Sequence, residues 1–326
     1  MKKIPSISNQ IDNSNSFEII NKNFSSLAPA YYTLITNWFI DAYKVYKGID
    51  KFIILIYLIN KDFIFYRKNG LTVDYDTFYQ DKSLEIPKIN IIDISKDLRI
   101  PRESVRRKIE ILKKQGVIKK NGKKIFVDRS AFISAKADKT LKNLSILVFK
   151  FNEIIKSKNK TDKSFDLDKI SESIKENFSF CWYQFYKFLF TFTNSWKTYT
   201  KTQDLETICI GFIVLINTVQ NKNFKNKNLN RQKYLKELKK SDHVGINAFS
   251  IAEISGIPRA TVVRKLQFLI KNNFLIIDEK KLYTFGLSVQ SKQYNIISKL
   301  QDKNMNSLSQ LLYKISNQIK IIEKID

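Results

Sequence analysis

Apolar residues recur at the spacing of a buried helix face in two separate stretches of the chain, residues 100–127 and residues 257–284. Each stretch carries three of them, separated by four and then three positions: Val105, Ile109 and Leu112 in the first, and Val262, Leu266 and Leu269 in the second. This spacing places three side chains on one face of an α-helix. The pattern therefore predicts an amphipathic helix with one buried side in each stretch.

Local signals around the first of these helices predict what precedes and follows it. Ile92 to Leu98 form a predicted short helix, Pro101 opens the next helix where its missing N–H costs nothing, and Gly116 ends that helix. Two alternating strands then surround Asn121-Gly122, which is a strong signal for a hairpin. A helix, a turn, a helix and a two-stranded wing together predict a winged helix-turn-helix.

The second stretch follows the same order and belongs to a longer repeat. Pro258 takes the place of Pro101, and Asp278-Glu279 replace the Asn-Gly turn, which makes this wing the weaker prediction. At an offset of 157 residues, FIILIYLIN at 52–60 also falls on CIGFIVLIN at 209–217. A repeated unit of about 130 residues has the size of one domain. We therefore predict an internal duplication of a complete subunit.

The duplication divides the chain into four predicted segments. They are a flexible N-terminal arm at 1–26, a first winged-helix domain at 27–156, a polar linker at 157–177 and a second winged-helix domain at 178–326. Within the two domains, apolar stretches predict buried helices at 30–47, 50–66, 180–198 and 205–220, and amphipathic helices end each copy at 144–156 and 308–320. The predicted fold class is mainly α with small β-hairpin wings, as two winged helix-turn-helix domains related by internal duplication.

Two corresponding regions between these helices differ in composition. Residues 67–88 are predicted to be irregular, and residues 221–242 form a basic insertion with a partly helical pattern. The insertion either contacts a polyanion or forms a solvated surface.

The charge of the chain narrows the class of partner. It has 57 basic and 31 acidic side chains, a net charge of +26, which favours a polyanion such as nucleic acid or an anionic membrane surface. A/T-rich codons account for part of the lysine excess. The most apolar run, Phe52 to Ile59, is far shorter than the roughly 20 residues that span a bilayer. We therefore expect no membrane span, no export signal and a cytoplasmic protein in which Cys181 and Cys209 are free thiols.

Basic residues concentrate on the exposed face of the second helix and on the wing. Residues 99–124 contain 11 basic and 2 acidic side chains, whereas residues 256–281 contain 6 and 2. A helix in the major groove reads bases while neighbouring cations hold phosphates. The candidate DNA-binding residues are Arg102, Glu103, Ser104, Arg106, Arg107, Lys119, Lys120, Lys123 and Lys124 in copy one, and Arg259, Thr261, Arg264, Lys265, Lys280 and Lys281 in copy two. The sequence predicts double-stranded DNA as the partner, ahead of protein contacts alone or RNA.

Differences between the copies suggest a division of roles. Glu103 and Arg106 are replaced by Ala260 and Val263, while most of the basic positions are shared. If the differing positions read bases, the target is an asymmetric, imperfect palindrome. The alternative is that copy two has lost base reading and only completes the architecture.

The order of elements in each copy resembles one subunit of the multiple-antibiotic-resistance regulator (MarR) family. The segment SIAEISGIPRATVVRKLQFLIKNNFL, residues 250–275, is also similar to the DNA-reading part of isocitrate-lyase-type regulators (IclR). The wing VIKKNGKKIFV lacks the Asp-x-Arg pair of the MarR wing. The resemblance implies a monomer with pseudo-two-fold symmetry, in which helices at 30–66, 144–156, 180–220 and 308–320 build a shared interface.

These observations predict a transcription regulator and leave two alternatives open. One is a plasmid-type replication initiator with tandem winged helices, and the other is a factor that organises DNA or scaffolds proteins without sequence preference. One histidine, no Gly-rich phosphate loop and no metal-ligand spacing predict that the chain is not an enzyme and carries no cofactor or metal. Trp38, Trp182 and Trp196 are predicted core residues, and a small apolar effector could lodge between their helices.

Overall fold

Most of the chain is helical, in agreement with the predicted mainly α class, and small antiparallel sheets complete it. The computed structural model describes residues 11–86, 88–122, 124–128, 137–158, 166–200, 204–219, 229–238, 244–286 and 292–323. The N-terminal half contains α1 (Asn13–Lys22), α2 (Phe24–Tyr46), α3 (Ile49–Lys68), α4 (Tyr75–Gln80), β1 (Ser83–Ile86), α5 (Ile91–Leu98), α6 (Arg102–Lys114), β2 (Ile118–Asn121), β3 (Lys124–Asp128) and α7 (Asp138–Lys158).

The C-terminal half repeats nearly the same order of elements. It contains α8 (Leu167–Glu176), α9 (Phe178–Thr200), α10 (Leu205–Val219), α11 (Arg231–Glu237), α12 (Ala248–Ser255), α13 (Arg259–Lys271), β4 (Leu275–Ile277), β5 (Tyr283–Phe285) and α14 (Lys292–Glu323). Helices α5 and α6 match α12 and α13 in length and begin 157 residues earlier. Helices α1 and α2 match α8 and α9 in length and begin 154 residues earlier.

Helix packing between the halves is reciprocal. Helix α1 packs on α14 of the other half, and its counterpart α8 packs on α7. Likewise α2 packs on α10, and its counterpart α9 packs on α3. Helices α7 and α14 also contact each other. Helices at corresponding places in the two halves thus make corresponding contacts with the opposite half.

The two stretches predicted as separate domains share one hydrophobic core. Phe39 on α2, Phe192 on α9 and Phe212 on α10 are all buried, and their ring centroids lie 5.5 to 6.4 Å apart. Aromatic rings at such distances bury large apolar areas and add favourable edge or offset contacts. A boundary at residues 157–177 therefore does not divide the structure into two independently packed units.

The prediction of a flexible arm at 1–26 is wrong for the part of it that the structure describes. Helix α1 begins after Asp12, whose side chain caps it by accepting a hydrogen bond from the backbone N–H of Asn15. Ile20 is fully buried, and Asn317 of α14 exchanges two hydrogen bonds with the backbone of Ile11. The segment is held because it pairs with a helix distant in sequence.

The predicted linker at 157–177 also contains a helix. Ile170 and Ile174 of α8 are one turn apart and fully buried, and α8 packs on α7. Residues 67–88, predicted to be irregular, contain α4 and β1. Tyr75 of α4 donates a hydrogen bond of 2.5 Å to Asp138 at the start of α7. Strand β1 pairs antiparallel with β3, so the first sheet has three strands in the order β1-β3-β2 rather than the predicted two.

The basic insertion at 221–242 includes a packed helix. Tyr234 of α11 is buried with its ring 5.1 Å from that of Phe24 on α2. Arg231 forms an ion pair with Asp302 of α14. The described part of this insertion therefore packs into the hydrophobic core and forms an ion pair at the edge of that core. It does so because one face of α11 packs on α2 of the other half.

Candidate nucleic-acid interface

In each half, a short helix leads through a tight turn into a longer second helix, and local residues explain this shape. Asn90 caps α5 by accepting from the N–H of Ile92 at 3.0 Å, and Asn247 caps α12 in the same way through the N–H of Ser250. Arg99, directly after α5, has the left-handed backbone (φ 51°) that Gly256 adopts directly after α12 (φ 72°). These residues turn the chain sharply into the second helix.

Each second helix then begins directly after a proline. Pro101 and Pro258 both have φ −53° and an extended ψ, the geometry of a helix entry. The six stripe residues predicted from the sequence are all buried. The opposite faces of α6 and α13 are thereby left to solvent. We call α5, α6, β2 and β3 the N-terminal head and α12, α13, β4 and β5 the C-terminal head.

The hairpin of the N-terminal head forms with a small shift from its predicted position. Asn121 pairs with Lys124, so Asn121 ends β2 and Gly122 follows it directly. Gly122 has φ 58°, a conformation that glycine adopts without strain. In the C-terminal head, Ile277 pairs with Tyr283, and a five-residue loop at 278–282 joins the strands.

The cationic face predicted on α6 is open to solvent. Arg102, Glu103, Arg106 and Arg107 are exposed, and Ser104 is half-buried. Arg106 lies 2.9 Å from Glu103 in an ion pair. Exposed pairs of this kind contribute at most about 1 kcal/mol, so the pair does not hold Arg106 away from another anion.

The wing lysines that the structure describes are also exposed to solvent. Lys119 pairs with Asp128, and Lys124 lies 2.9 Å from Glu85 of β1. Lys120 is exposed on β2. Lys123 lies outside the described residues. Carboxylates on the sheet thus orient two of the lysines without covering them.

The C-terminal head exposes fewer of the residues predicted to contact DNA than the N-terminal head does. Arg259 and Arg264 are exposed on α13, and Thr261 is half-buried. Lys280 and Lys281 are exposed in the loop between β4 and β5. Ala260 and Val263 occupy the positions that Glu103 and Arg106 hold on α6.

The prediction for Lys265 is wrong, because its ammonium group faces inward. Nζ of Lys265 lies 2.7 Å from Oδ1 of Asp204 and 3.4 Å from Oγ1 of Thr207 at the start of α10, and the side chain is only 11% exposed. Burial acts to raise the pKa of Asp204, but hydrogen bonds and the charge of Lys265 outweigh it and lower the pKa. Lys265 therefore joins α13 to α10 instead of facing DNA.

A buried cluster of charges under α6 was missed by the sequence analysis. Asp50 at the start of α3 lies 3.5 Å from Lys108 of α6 and 3.4 Å from Lys197 of α9. Lys197, 4% exposed, also donates to the carbonyl oxygen of Leu98 at 3.3 Å. Glu206 of α10 accepts from the N–H of Ile49 at 3.1 Å. This cluster joins the N-terminal head to two helices of the other half.

Burial shifts the pKa values of two members of the cluster, Lys197 and Glu206. It lowers the pKa of Lys197, although the Asp50 carboxylate acts in the opposite direction. It raises the pKa of Glu206, and the nearby charge of Asp50 adds to that rise. A sequence signal was available: Lys108 follows Val105 by three positions and precedes Leu112 by four, which places it at the edge of the buried stripe.

A cavity of about 360 Å³ lies between helices of both halves. Trp38 of α2 and Trp182 of α9 line it, together with other aromatic side chains from α2, α3, α4 and α9. At its rim, Lys139 of α7 lies 3.1 Å from Asp41 of α2. Trp196 does not line this cavity and faces two much smaller crevices. The volume falls within the range of small-molecule sites.

Two further observations bear on the class of protein. Among the described residues, no helix combines the length and the apolar composition that crossing a membrane requires. Comparison of the chain with protein-family models, with curated proteins and with solved structures finds no match.

Proposed function

We propose that this chain binds double-stranded DNA in a sequence-specific way as a transcription regulator, using two winged helix-turn-helix heads. The observation that carries the proposal is the exposed cationic face of the N-terminal head. There, Arg102, Arg106 and Arg107 are exposed on the second helix, and Lys119, Lys120 and Lys124 are exposed on the wing whose strand β2 packs against that helix. Such a helix presents its N-terminal residues to base edges while wing cations contact the phosphates.

The repeated order of elements and the reciprocal packing support an internal duplication. In this proposal the two halves act as an intramolecular pseudo-dimer, and a single chain supplies two heads related by an approximate two-fold axis. A dimer of this form binds two half-sites of one operator. The C-terminal head offers fewer exposed cations, since Val263 replaces Arg106 on the second helix and Ile276 and Ile277 replace Lys119 and Lys120 on the wing. The target is therefore an asymmetric site in which the N-terminal head makes most of the base contacts.

Salt dependence provides the first test of this proposal. The described cations of the N-terminal face are Arg102, Arg106, Arg107, Lys119, Lys120 and Lys124. If Arg106 and Arg107 contact bases and the other four contact phosphates, the logarithm of the association constant should fall with the logarithm of salt concentration with a slope of about −4. Fluorescence anisotropy with a labelled duplex selected from genomic fragments measures this slope.

The same titration separates the proposal from its alternatives. A slope near zero contradicts DNA binding through this face. Equal affinity for the selected duplex and a scrambled one indicates a factor that organises DNA without sequence preference. A footprint over iterated direct repeats indicates a replication initiator rather than a regulator.

We also propose that the aromatic cavity takes a small apolar effector, because it is lined by helices that support the N-terminal head. N-phenyl-1-naphthylamine is a suitable neutral probe, since its fluorescence rises in apolar sites. Ala42 is buried at the cavity wall, so Ala42→Trp should fill the space and weaken probe binding at least about tenfold. Ala260→Trp adds the same side chain at an exposed position and should leave probe binding unchanged. Equal binding to both variants contradicts an effector at this site.

A further inference from the structure

The aromatic cavity has a smaller counterpart at the corresponding place in the opposite half. Helices α2 and α9 correspond at an offset of 154 residues, so Trp38 and Ala42 of the cavity wall correspond to Phe192 and Trp196. Phe192 and Trp196 line a crevice of about 20 Å³, whereas the cavity measures about 360 Å³. The two spaces therefore begin from corresponding positions on the paired helices.

Other walls of the two spaces correspond in the same way. Residues on α9 that line the cavity match residues on α2 that line the crevice, again at an offset of 154. Residues on α7 and α14 match at the offset of 164 that relates 144–156 to 308–320. The matched pairs of wall residues are Phe185 with Tyr31, Tyr186 with Tyr32, and Thr140 with Asn304. The cavity and the crevice are therefore equivalent sites in the two halves.

The two sites differ most in side-chain size at the position of Ala42 and Trp196. Ala42 contributes one methyl group to the cavity wall. The ring of Trp196 lies 6.1 Å from that of Phe192 and 5.2 Å from that of Phe212, between centroids. Trp38, by contrast, is matched by a smaller side chain, Phe192. The indole ring of Trp196 is therefore the main reason why the second site has almost no open volume.

Trp196 also lies beside the C-terminal head. It lines a crevice of about 40 Å³ together with Leu269 of α13, Leu275 of β4 and Phe285 of β5. A large aromatic ring at such a junction buries apolar surface and favours close packing. In the N-terminal half the corresponding space is open. Helix α3, which lines that space through Phe52, packs on both α5 and α6 of the N-terminal head.

We propose that Trp196 is a built-in occupant of the C-terminal site, and that the N-terminal site takes one planar aromatic molecule of about the size of an indole ring. The size follows from the correspondence, because an indole ring closes the equivalent site. The aromatic walls around Trp38 favour edge and offset contacts with such a molecule. This inference rests on the proposed effector site and does not require DNA binding.

The asymmetry has a consequence for regulation. Trp196 keeps the C-terminal site filled in every chain, so the packing around the C-terminal head does not depend on a ligand. A ligand that fills the N-terminal site favours the closely packed arrangement of α3 with α5 and α6, and it shifts the population towards that arrangement. The N-terminal head therefore responds to the molecule, and the C-terminal head does not.

Equilibrium dialysis of the full chain against radiolabelled indole tests the assignment by counting bound molecules. The wild type should bind one molecule per chain, and Ala42→Trp should bind none. Trp196→Ala should bind two, and the double variant Ala42→Trp/Trp196→Ala should bind one, at the other site. Ala260→Trp adds an indole ring at an exposed position and should bind one, as the wild type does. Circular dichroism checks that each variant is folded.

Hydrogen exchange measures the response of each head separately. At an indole concentration ten times the dissociation constant, openings of α5 and α6 that require release of indole should become about tenfold rarer. Exchange in α12 and α13 should not change. Ala42→Trp should slow exchange in α5 and α6 without indole, because it copies the filled site. Slowing of equal size in both heads overturns the assigned asymmetry.

The binding counts distinguish failure of this inference from failure of the effector site. One molecule per chain in both the wild type and Trp196→Ala overturns the role of Trp196 and leaves the effector site standing. Binding of N-phenyl-1-naphthylamine without binding of indole overturns the inferred size alone. Binding of neither probe overturns both proposals. If Trp196→Ala does not fold, Trp196→Leu keeps an apolar side chain and should bind one more benzene molecule per chain than the wild type; an equal count overturns the inference.

Discussion

Replacing Arg106 and Arg107 together with alanine is expected to weaken specific DNA binding by roughly 2 to 6 kcal/mol, because each good base contact contributes about 1 to 3 kcal/mol. Both side chains are exposed on α6, so their loss should not disturb the core. The dissociation constant for the selected duplex, measured by fluorescence anisotropy at fixed salt, gives the result. Discrimination against a scrambled duplex should fall at the same time.

Two controls separate base reading from a general loss of charge. Lys299→Ala/Lys303→Ala removes the same charge from exposed positions on α14 and should weaken binding only slightly. Arg264→Ala removes the counterpart of Arg107 from the C-terminal head and reports that head's own contribution. Unchanged affinity of the Arg106/Arg107 variant for the selected duplex would show that the N-terminal head does not make the base contacts.

Asp50→Asn is expected to lower the free energy of unfolding by about 3 to 5 kcal/mol, the usual cost of breaking a buried ion pair. The substitution leaves Lys197 and Lys108 close together without the carboxylate that both face. Urea denaturation followed by circular dichroism measures the effect. Because Lys108 belongs to α6, DNA binding by the folded fraction should weaken too.

Two further variants test whether the loss of stability comes from the buried charge cluster. Asp50→Asn/Lys197→Met removes the deeply buried ammonium as well and should recover part of the lost stability. Asp41→Asn breaks the exposed pair with Lys139 and should cost no more than about 1 kcal/mol. If Asp50→Asn costs no more than Asp41→Asn, the cluster does not hold the halves together.

The sequence predicted the two heads well because their signals are local. The stripes that begin at Val105 and Val262, together with Pro101 and Pro258, place both second helices. The hairpin signal at Asn121-Gly122 was correct to within one residue, since such turns depend on adjacent residues. The long helices α2, α3, α9 and α10 were also found, because their apolar residues cover nearly the whole surface of each helix.

Other predictions failed where a distant segment decides the outcome. Residues 13–22 and 167–176 are polar enough to suggest an arm and a linker, yet each forms a helix because the terminal helix of the other half covers it. Strand β1 forms because β3 supplies its hydrogen bonds. When the two copies are compared at the 157-residue offset, Lys265 stands next to cations that both copies carry on the surface. Only the position of Asp204 shows that the charge of Lys265 is buried.

By itself, the sequence determined the secondary structure of each head, the surplus of basic charge and its concentration before and within the first wing. These properties depend on neighbours within a few positions along the chain. Only the tertiary structure decided how the helices of one half pack on those of the other and which cations are buried against carboxylates. Those outcomes depend on contacts between residues that lie from dozens to hundreds of positions apart, and no local pattern identifies both partners of such a contact.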